Sequence, residues 1–177
     1  MRAILRLPAA SRWQWKFGSV GYLDQALCEM VELLRGRVQT GKGDASHWLH
    51  LFNAAYSRKL RMPVYPGSLN LALDHAFDWF ATRHAGNLIW FGREEYGGER
   101  DILMLPCELV DFDHRRAFLW TPTTAACNRP DPWVVELVCE VKLRETYGLE
   151  DGDVVALGLF VDAVGWRKSG SVKRPSG

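Results

Sequence analysis

The chain of 177 residues sets 22 lysines and arginines against 21 aspartates and glutamates, a net charge of +1, and 47% of its residues are apolar. That balance excludes the broad basic face of a duplex-binding protein and the cationic stripe of one held on an anionic membrane. The length fits one folded unit with one core.

In chain order, Tyr22, Leu23, Ala26, Leu27, Met30 and Val31 recur at helical spacing behind Ser19, a candidate cap, so residues 1–30 read as an added helical extension. From Val31 the pattern turns strand-like through Leu33, Leu34 and Val38 and ends in the turn Thr40-Gly41-Lys42-Gly43-Asp44-Ala45-Ser46. Further strands are predicted at 48–52, 69–73, 87–91, 101–110, 117–120, 134–139 and 154–161. A helix is predicted over 74–83 and a helical turn over 143–147. Many short strands parted by glycine, proline and charged turns predict a mainly β chain closed into a small barrel over 31–166. Residues 167–177, with Arg167, Lys168, Lys173 and Arg174, read as a flexible basic tail.

Cys28, Cys107, Cys127 and Cys139 show no C-x-x-C spacing, lie in or beside apolar stretches and read as reduced thiols, mostly buried. No apolar run nears the ~18 residues of a membrane span. Arg2, Arg6 and Arg12 interrupt the apolar centre that a signal peptide needs, so a cytoplasmic protein is expected.

Three segments carry chemistry. Successive N–H groups of a glycine-rich turn such as 40–46 can point at phosphate oxygens. The turn is no Walker A loop, because the Gly-x-x-x-x-Gly-Lys-Ser/Thr spacing is missing. In Tyr65-Pro66-Gly67-Ser68-Leu69-Asn70-Leu71, an extended backbone puts Ser68 and Asn70 on one face and Leu69 and Leu71 on the other. Two neutral oxygens on one face suit a hard cation such as Mg²⁺, completed by phosphates and water. The third segment, Lys142-Leu143-Arg144-Glu145, offers two cations and a carboxylate on a short turn.

Glu136 lies in the apolar run Trp133-Val134-Val135-Glu136-Leu137-Val138 and shares a face with Val134 and Val138. A carboxylate there is either turned to solvent or partly buried with a raised pKa, suited to take a proton from a substrate hydroxyl. His47 and His50 are spaced H-x-x-H without a third ligand type nearby and read as surface residues rather than a zinc site. Trp48 reads as core or as a stacking platform for a base.

In order and spacing the three segments resemble the archaeal-type CTP-dependent riboflavin kinases, small cradle-loop barrels, over about 31–158. The resemblance implies transfer of the γ-phosphoryl of CTP to riboflavin, giving FMN and CDP. It implies that Ser68 and Asn70 hold Mg²⁺, and that Glu136 contacts the flavin and serves as the catalytic base. The nucleotide would be held by Gly41, Lys42, Gly43, Asp44, Ala45 and Ser46 with Val141, Lys142, Leu143, Arg144, Glu145 and Thr146. Four positions depart from the family pattern. Ser68 stands for threonine, Ala45 for glycine, and Cys139-Glu140-Val141 for the Ala-Pro before Lys-Leu-Arg. The flavin-contacting threonine expected eight residues before Glu136 falls on Asn128, so Thr124, or Thr123, takes that role if 125–132 carries an insertion.

Two other readings stay open. One is a nucleotide- or flavin-binding module of the same fold without turnover. The other is a swapped-hairpin DNA-binding barrel, to which the turn at 149–154 is similar but which the near-neutral charge opposes. CTP and riboflavin are the expected partners, with no nucleic acid and no membrane, and the protein is expected to be a monomer.

Overall fold

A computed structural model describes residues 4–5, 30–41, 43–123 and 130–161. The helical reading of 22–29, the basic tail, Cys28, Cys127, Asn128, Lys42 and Thr124 lie outside the described residues. The strands are β1 (Ile4–Leu5), β2 (Met30–Gln39), β3 (Leu69–Leu73), β4 (Ile89–Phe91), β5 (Ile102–Leu109), β6 (Arg115–Pro122), β7 (Val134–Cys139) and β8 (Val154–Val161). The helices are α1 (Asp44–Leu51), α2 (Asn53–Leu60), α3 (Arg93–Tyr96) and α4 (Leu143–Tyr147), with a 3₁₀ turn at Thr82–His84.

Six strands close a ring in which every neighbour is antiparallel: β2 pairs β3, then β7, β6, β5 and β8 follow, and β8 returns to β2. β1 extends β2 and β4 extends β5. Mainly β architecture in a small closed barrel is thus the observed fold. Closure leaves few unpaired edges.

Alternation explains the strand pattern. Leu69, Leu71 and Leu73 of β3, Val135, Leu137 and Cys139 of β7, and Val155, Leu157 and Leu159 of β8 share one core inside the ring. β5 is buried on both faces at every position. Its Ile102 and Met104 join Phe118, Trp120 and Val138 in a second core, capped by Ala45, Leu49, Tyr56 and Leu60 of α1 and α2. Such doubly covered strands read as continuous apolar runs.

Three expectations are corrected. Residues 48–52 belong mostly to α1 rather than to a strand. A strand needs Leu49 and Leu51 on one covered face, whereas Leu49 is fully buried and Leu51 is 57% exposed. The packed positions Ala45 and Leu49, then Tyr56 and Leu60, are spaced four apart, the helical interval. The helix expected over 74–83 is absent, and only the 3₁₀ turn forms. Phe77 and Trp79 are buried in the barrel core, and Asp78 closes a turn, its carbonyl accepting from Ala81 N at 3.3 Å and its side chain from Phe80 N at 3.0 Å. The segment is tied to the barrel by Asp74 N donating to Arg35 O and Phe77 N donating to Pro132 O. Met30, the last residue of the expected helical extension, instead opens β2, one residue before the strand-like pattern expected from Val31. Among the described residues no helix is long and apolar enough to cross a membrane.

Leu119 is fully buried inside the ring, so Leu119→Ala should cost about 2–5 kcal/mol. Leu51→Ala should stay within about 0.5 kcal/mol. Urea unfolding midpoints compare the two. Equal losses would mean that Leu119 does not bear on the barrel core.

Candidate active site

The three chemical segments line one cavity of about 600 Å³ at the outer face of β3 and β7. The first wall is the glycine loop. The chain leaves β2 after Gln39, and Gly43, at φ 83°, turns it into α1. Only glycine adopts that conformation at little cost. Residues 43–46 line the cavity and form the start of α1, the end of a helix that suits an anion because the first N–H groups of a helix have no acceptor one turn earlier, although Ser46 N here donates to Gly43 O at 3.3 Å. No side chain caps this end, and Ser46 Oγ donates instead to Gly43 O at 2.7 Å. Ala45, where the family has glycine, is a buried helical residue, so its Cβ fits.

Gly41 has a different constraint. A Cβ on it would fall 2.2 Å from Asn70 Nδ2 and 2.8 Å from Asn70 Cγ. The Asn70 side chain therefore lies across the bare Gly41 backbone, and the loop and β3 are fitted to each other at this contact.

The floor comes from β3 and β7. Asn70 stands opposite Glu136 in the β3–β7 pair and opposite Gln39 in the β2–β3 pair. Leu69 and Leu71 turn into the core, which leaves Ser68 and Asn70 on the cavity side as the alternation predicts. Ser68 Oγ donates to Glu136 Oε2 at 2.6 Å. Because the hydroxyl proton is committed to Glu136, the remaining lone pairs of Ser68 are free for a cation. Burial raises the Glu136 pKa, the Ser68 bond offsets part of that rise, and the negative charge of Asp44 adds to it.

The residues present fit a hard divalent ion. Among the described residues no three His, Cys, Asp or Glu side chains cluster as metal ligands. A cation here would take the neutral oxygens of Ser68 and Asn70 and complete its shell with water and phosphate, the arrangement Mg²⁺ favours.

The third wall is the start of α4. Val141, Lys142, Leu143 and Arg144 line the cavity, and Leu143 is buried in the barrel core, anchoring the turn. Lys142 Nζ donates to Glu145, and Arg144 Nη2 donates to Asp151 Oδ1 at 2.6 Å. Glu145 and Thr146, expected to hold nucleotide, are exposed on α4 outside the described cavity lining, where the Thr146 amide donates to Lys142 O.

Sequence reasoning missed Trp120, Thr121 and Asp131 in the lining. Thr121 begins Thr121-Pro122-Thr123-Thr124, the run from which a flavin-facing threonine was sought. Thr123 is occupied elsewhere, since its amide and hydroxyl both donate to Asp101 O, at 2.7 and 3.1 Å. The available signal was for Trp120, which is paired with Glu136 and so shares its face. Thr121 shares the alternation of the inward-facing Leu119, and no local pattern marked it for the cavity. His47 and His50 lie exposed on α1. Trp48 stacks on Phe52 at 6.2 Å and is not part of the described lining.

Glu136 sets a pH dependence of stability. Its folded pKa is raised, so between the unfolded and folded values the folded state holds the extra proton and stability falls as pH rises. Below both values there is no effect, and above both the cost is complete. Glu136→Gln removes this cost, so its melting midpoint relative to wild type should climb as pH is raised from the acid side toward neutral. A constant difference across pH would contradict it.

Residues 38–159 match a family model named CTP-dep_RFKase and described as Domain of unknown function DUF120. A riboflavin kinase of Methanocella arvoryzae is 30% identical over 129 residues, covering 72% of this chain and 56% of that protein. One of Pyrobaculum islandicum is 29% identical over 137 residues, or 73% of this chain and 61% of that protein. One of Staphylothermus marinus is 22% identical over 127 residues, with 72% of this chain and 91% of that protein covered. The chain thus spans little more than half the length of the first two relatives and nearly all of the third. With well over half its length inside that match, and with the glycine loop, Ser68, Asn70 and Glu136 gathered on one cavity, the chain belongs to the CTP-dependent riboflavin kinase family.

Proposed function

We propose that this chain transfers the γ-phosphoryl of CTP to the 5′-hydroxyl of riboflavin, giving FMN and CDP, with Mg²⁺ as the cation. One observation carries the reading: a single cavity joins an anion-suited helix start, the neutral side-chain oxygens of Ser68 and Asn70 and a half-buried carboxylate, in a chain of this family.

Phosphoryl transfer asks a protein mainly to position its reactants and to stabilise charge. The start of α1 and the glycine loop take phosphate oxygens through backbone N–H groups. Ser68 and Asn70 hold the cation, which when bound offsets phosphate charge and orients the transferring group. Lys142 and Arg144 each keep donors beyond those given to Glu145 and Asp151, because an ammonium has three and a guanidinium five. Glu136 accepts the hydroxyl proton as the new O–P bond forms and the bond from the γ-phosphorus to the bridging oxygen breaks, leaving CDP. Its raised pKa makes it a better proton acceptor than an ordinary carboxylate.

Incubation with riboflavin, Mg²⁺ and each of the four nucleoside triphosphates tests the reading. FMN should form with CTP and stop on chelation of the metal. Binding of both substrates without FMN would instead identify a non-catalytic module. Asn70→Ala should abolish metal-dependent turnover while the melting curve stays near wild type. Glu136→Gln should lower kcat on the order of 10²-fold or more with CTP affinity retained. Because the base acts ionised, the acid limb of the kcat profile should lie above the ordinary carboxylate range and vanish in Glu136→Gln.

A further inference from the structure

Where the chain leaves β2, Thr40 N and Thr40 Oγ1 both donate to Asp151 Oδ2, at 3.1 and 2.7 Å. The other oxygen, Asp151 Oδ1, accepts from Arg144 Nη2 at 2.6 Å. One carboxylate therefore grips the first residue of the glycine loop with one oxygen and the start of α4 with the other. Thr40 and Arg144 line the cavity, whereas Asp151 is outside the described lining.

Asp151 is itself held. The Val38 amide donates to Asp153 O and the Gly152 amide to Val38 O, both at 2.8 Å, while Arg37 Nη1 donates to Gly152 O at 3.2 Å. The turn that carries Asp151 is thus a rigid continuation of β2 and β8. The hydrogen bonds from Thr40, and then the pairing with Arg144, hold the Asp151 carboxyl below the usual carboxylate range, so it is ionised at neutral pH. Its side chain is 52% exposed, and exposed ion pairs add little to folding stability. What this one changes is geometry, because the two cavity walls it joins come from segments with no strand pairing between them.

We propose that Asp151 is a positioning residue for the nucleotide: it fixes the separation of the glycine loop and α4 and turns Arg144 so that its remaining N–H groups face the cavity. The proposal rests on the reading of the cavity as a nucleotide site. A misplaced wall weakens binding steeply, since each polar contact depends on position.

The test uses the full chain and the variants Asp151→Ala and Asp151→Asn. In the unliganded proteins, hydrogen exchange over 40–46 and 142–147 should be faster in Asp151→Ala, with little change in melting midpoint. On titration with CTP and Mg²⁺, Asp151→Ala should bind on the order of tenfold more weakly while riboflavin affinity holds, the pattern of lost positioning on one substrate. Asp151→Asn keeps an oxygen for Thr40 but no charge for Arg144 and should fall between. Unchanged exchange with unchanged CTP affinity overturns the proposal. A joint loss of CTP affinity, riboflavin affinity and melting midpoint overturns it too, by marking a general brace. Wild-type protein that takes up no CTP overturns the functional reading instead, and the exchange rates still decide whether Asp151 sets the two walls.

Discussion

The pairing of β3 with β7 is the constraint on which the rest depends. Its register sets Leu69 against Leu137 and Leu71 against Val135, all buried inside the ring, and Asn70 against Glu136 on the outside. Core and site are thus the two faces of the same pair of strands. A one-residue slip of β3 would drive Asn70 into the barrel and bring Leu69 and Leu71 out, so the cost of burying an amide fixes the register along with the apolar gain. The Ser68–Glu136 hydrogen bond adds a cross-strand tie just beyond the end of β3.

The outside of the barrel is divided between packing and chemistry. Where β5, β6 and the end of β7 would expose Met104, Phe118 and Val138, α1 and α2 cover them and make a second core. The same α1 that buries Ala45 and Leu49 begins at the cavity with Gly43 and Asp44. One short helix therefore closes a core with its flank and offers its positive end to an anion. Its aim is fixed by packing, since Leu49 is fully buried.

Much of this was legible in the sequence because alternation is local. β3 declares itself by period two, β7 and β8 by short apolar runs bounded by turns, and the Pro-Gly turn before Ser68 tells where β3 starts. Other parts were misread for physical reasons. Residues 48–52 are apolar on both potential faces, so neither period stands out until the partner surface of β5 and β6 chooses the helical one. Residues 74–83 have helix-compatible composition, but Phe77 and Trp79 are drawn into the barrel core and a turn at Asp78 replaces the helix. The Thr40–Asp151 contact joins residues 111 positions apart. No local pattern announces such a pair, and each residue alone reads as an ordinary turn former.

The charge balance of the cavity follows from these contacts. Its two described cationic side chains, Lys142 and Arg144, are already paired with Glu145 and Asp151, while Asp44 and Glu136 bring negative charge to the same space. The described side chains alone would therefore hold a polyphosphate poorly. Backbone N–H groups at the start of α1 are neutral donors that attract phosphate without needing a counter-charge. A divalent cation on Ser68 and Asn70 would supply the missing positive charge beside the phosphates. On the proposed reading such a site gains most of its affinity only when metal and nucleotide arrive together, and Glu136, half-buried and with no cationic partner among the described residues, would be left free to act on the proton of the acceptor.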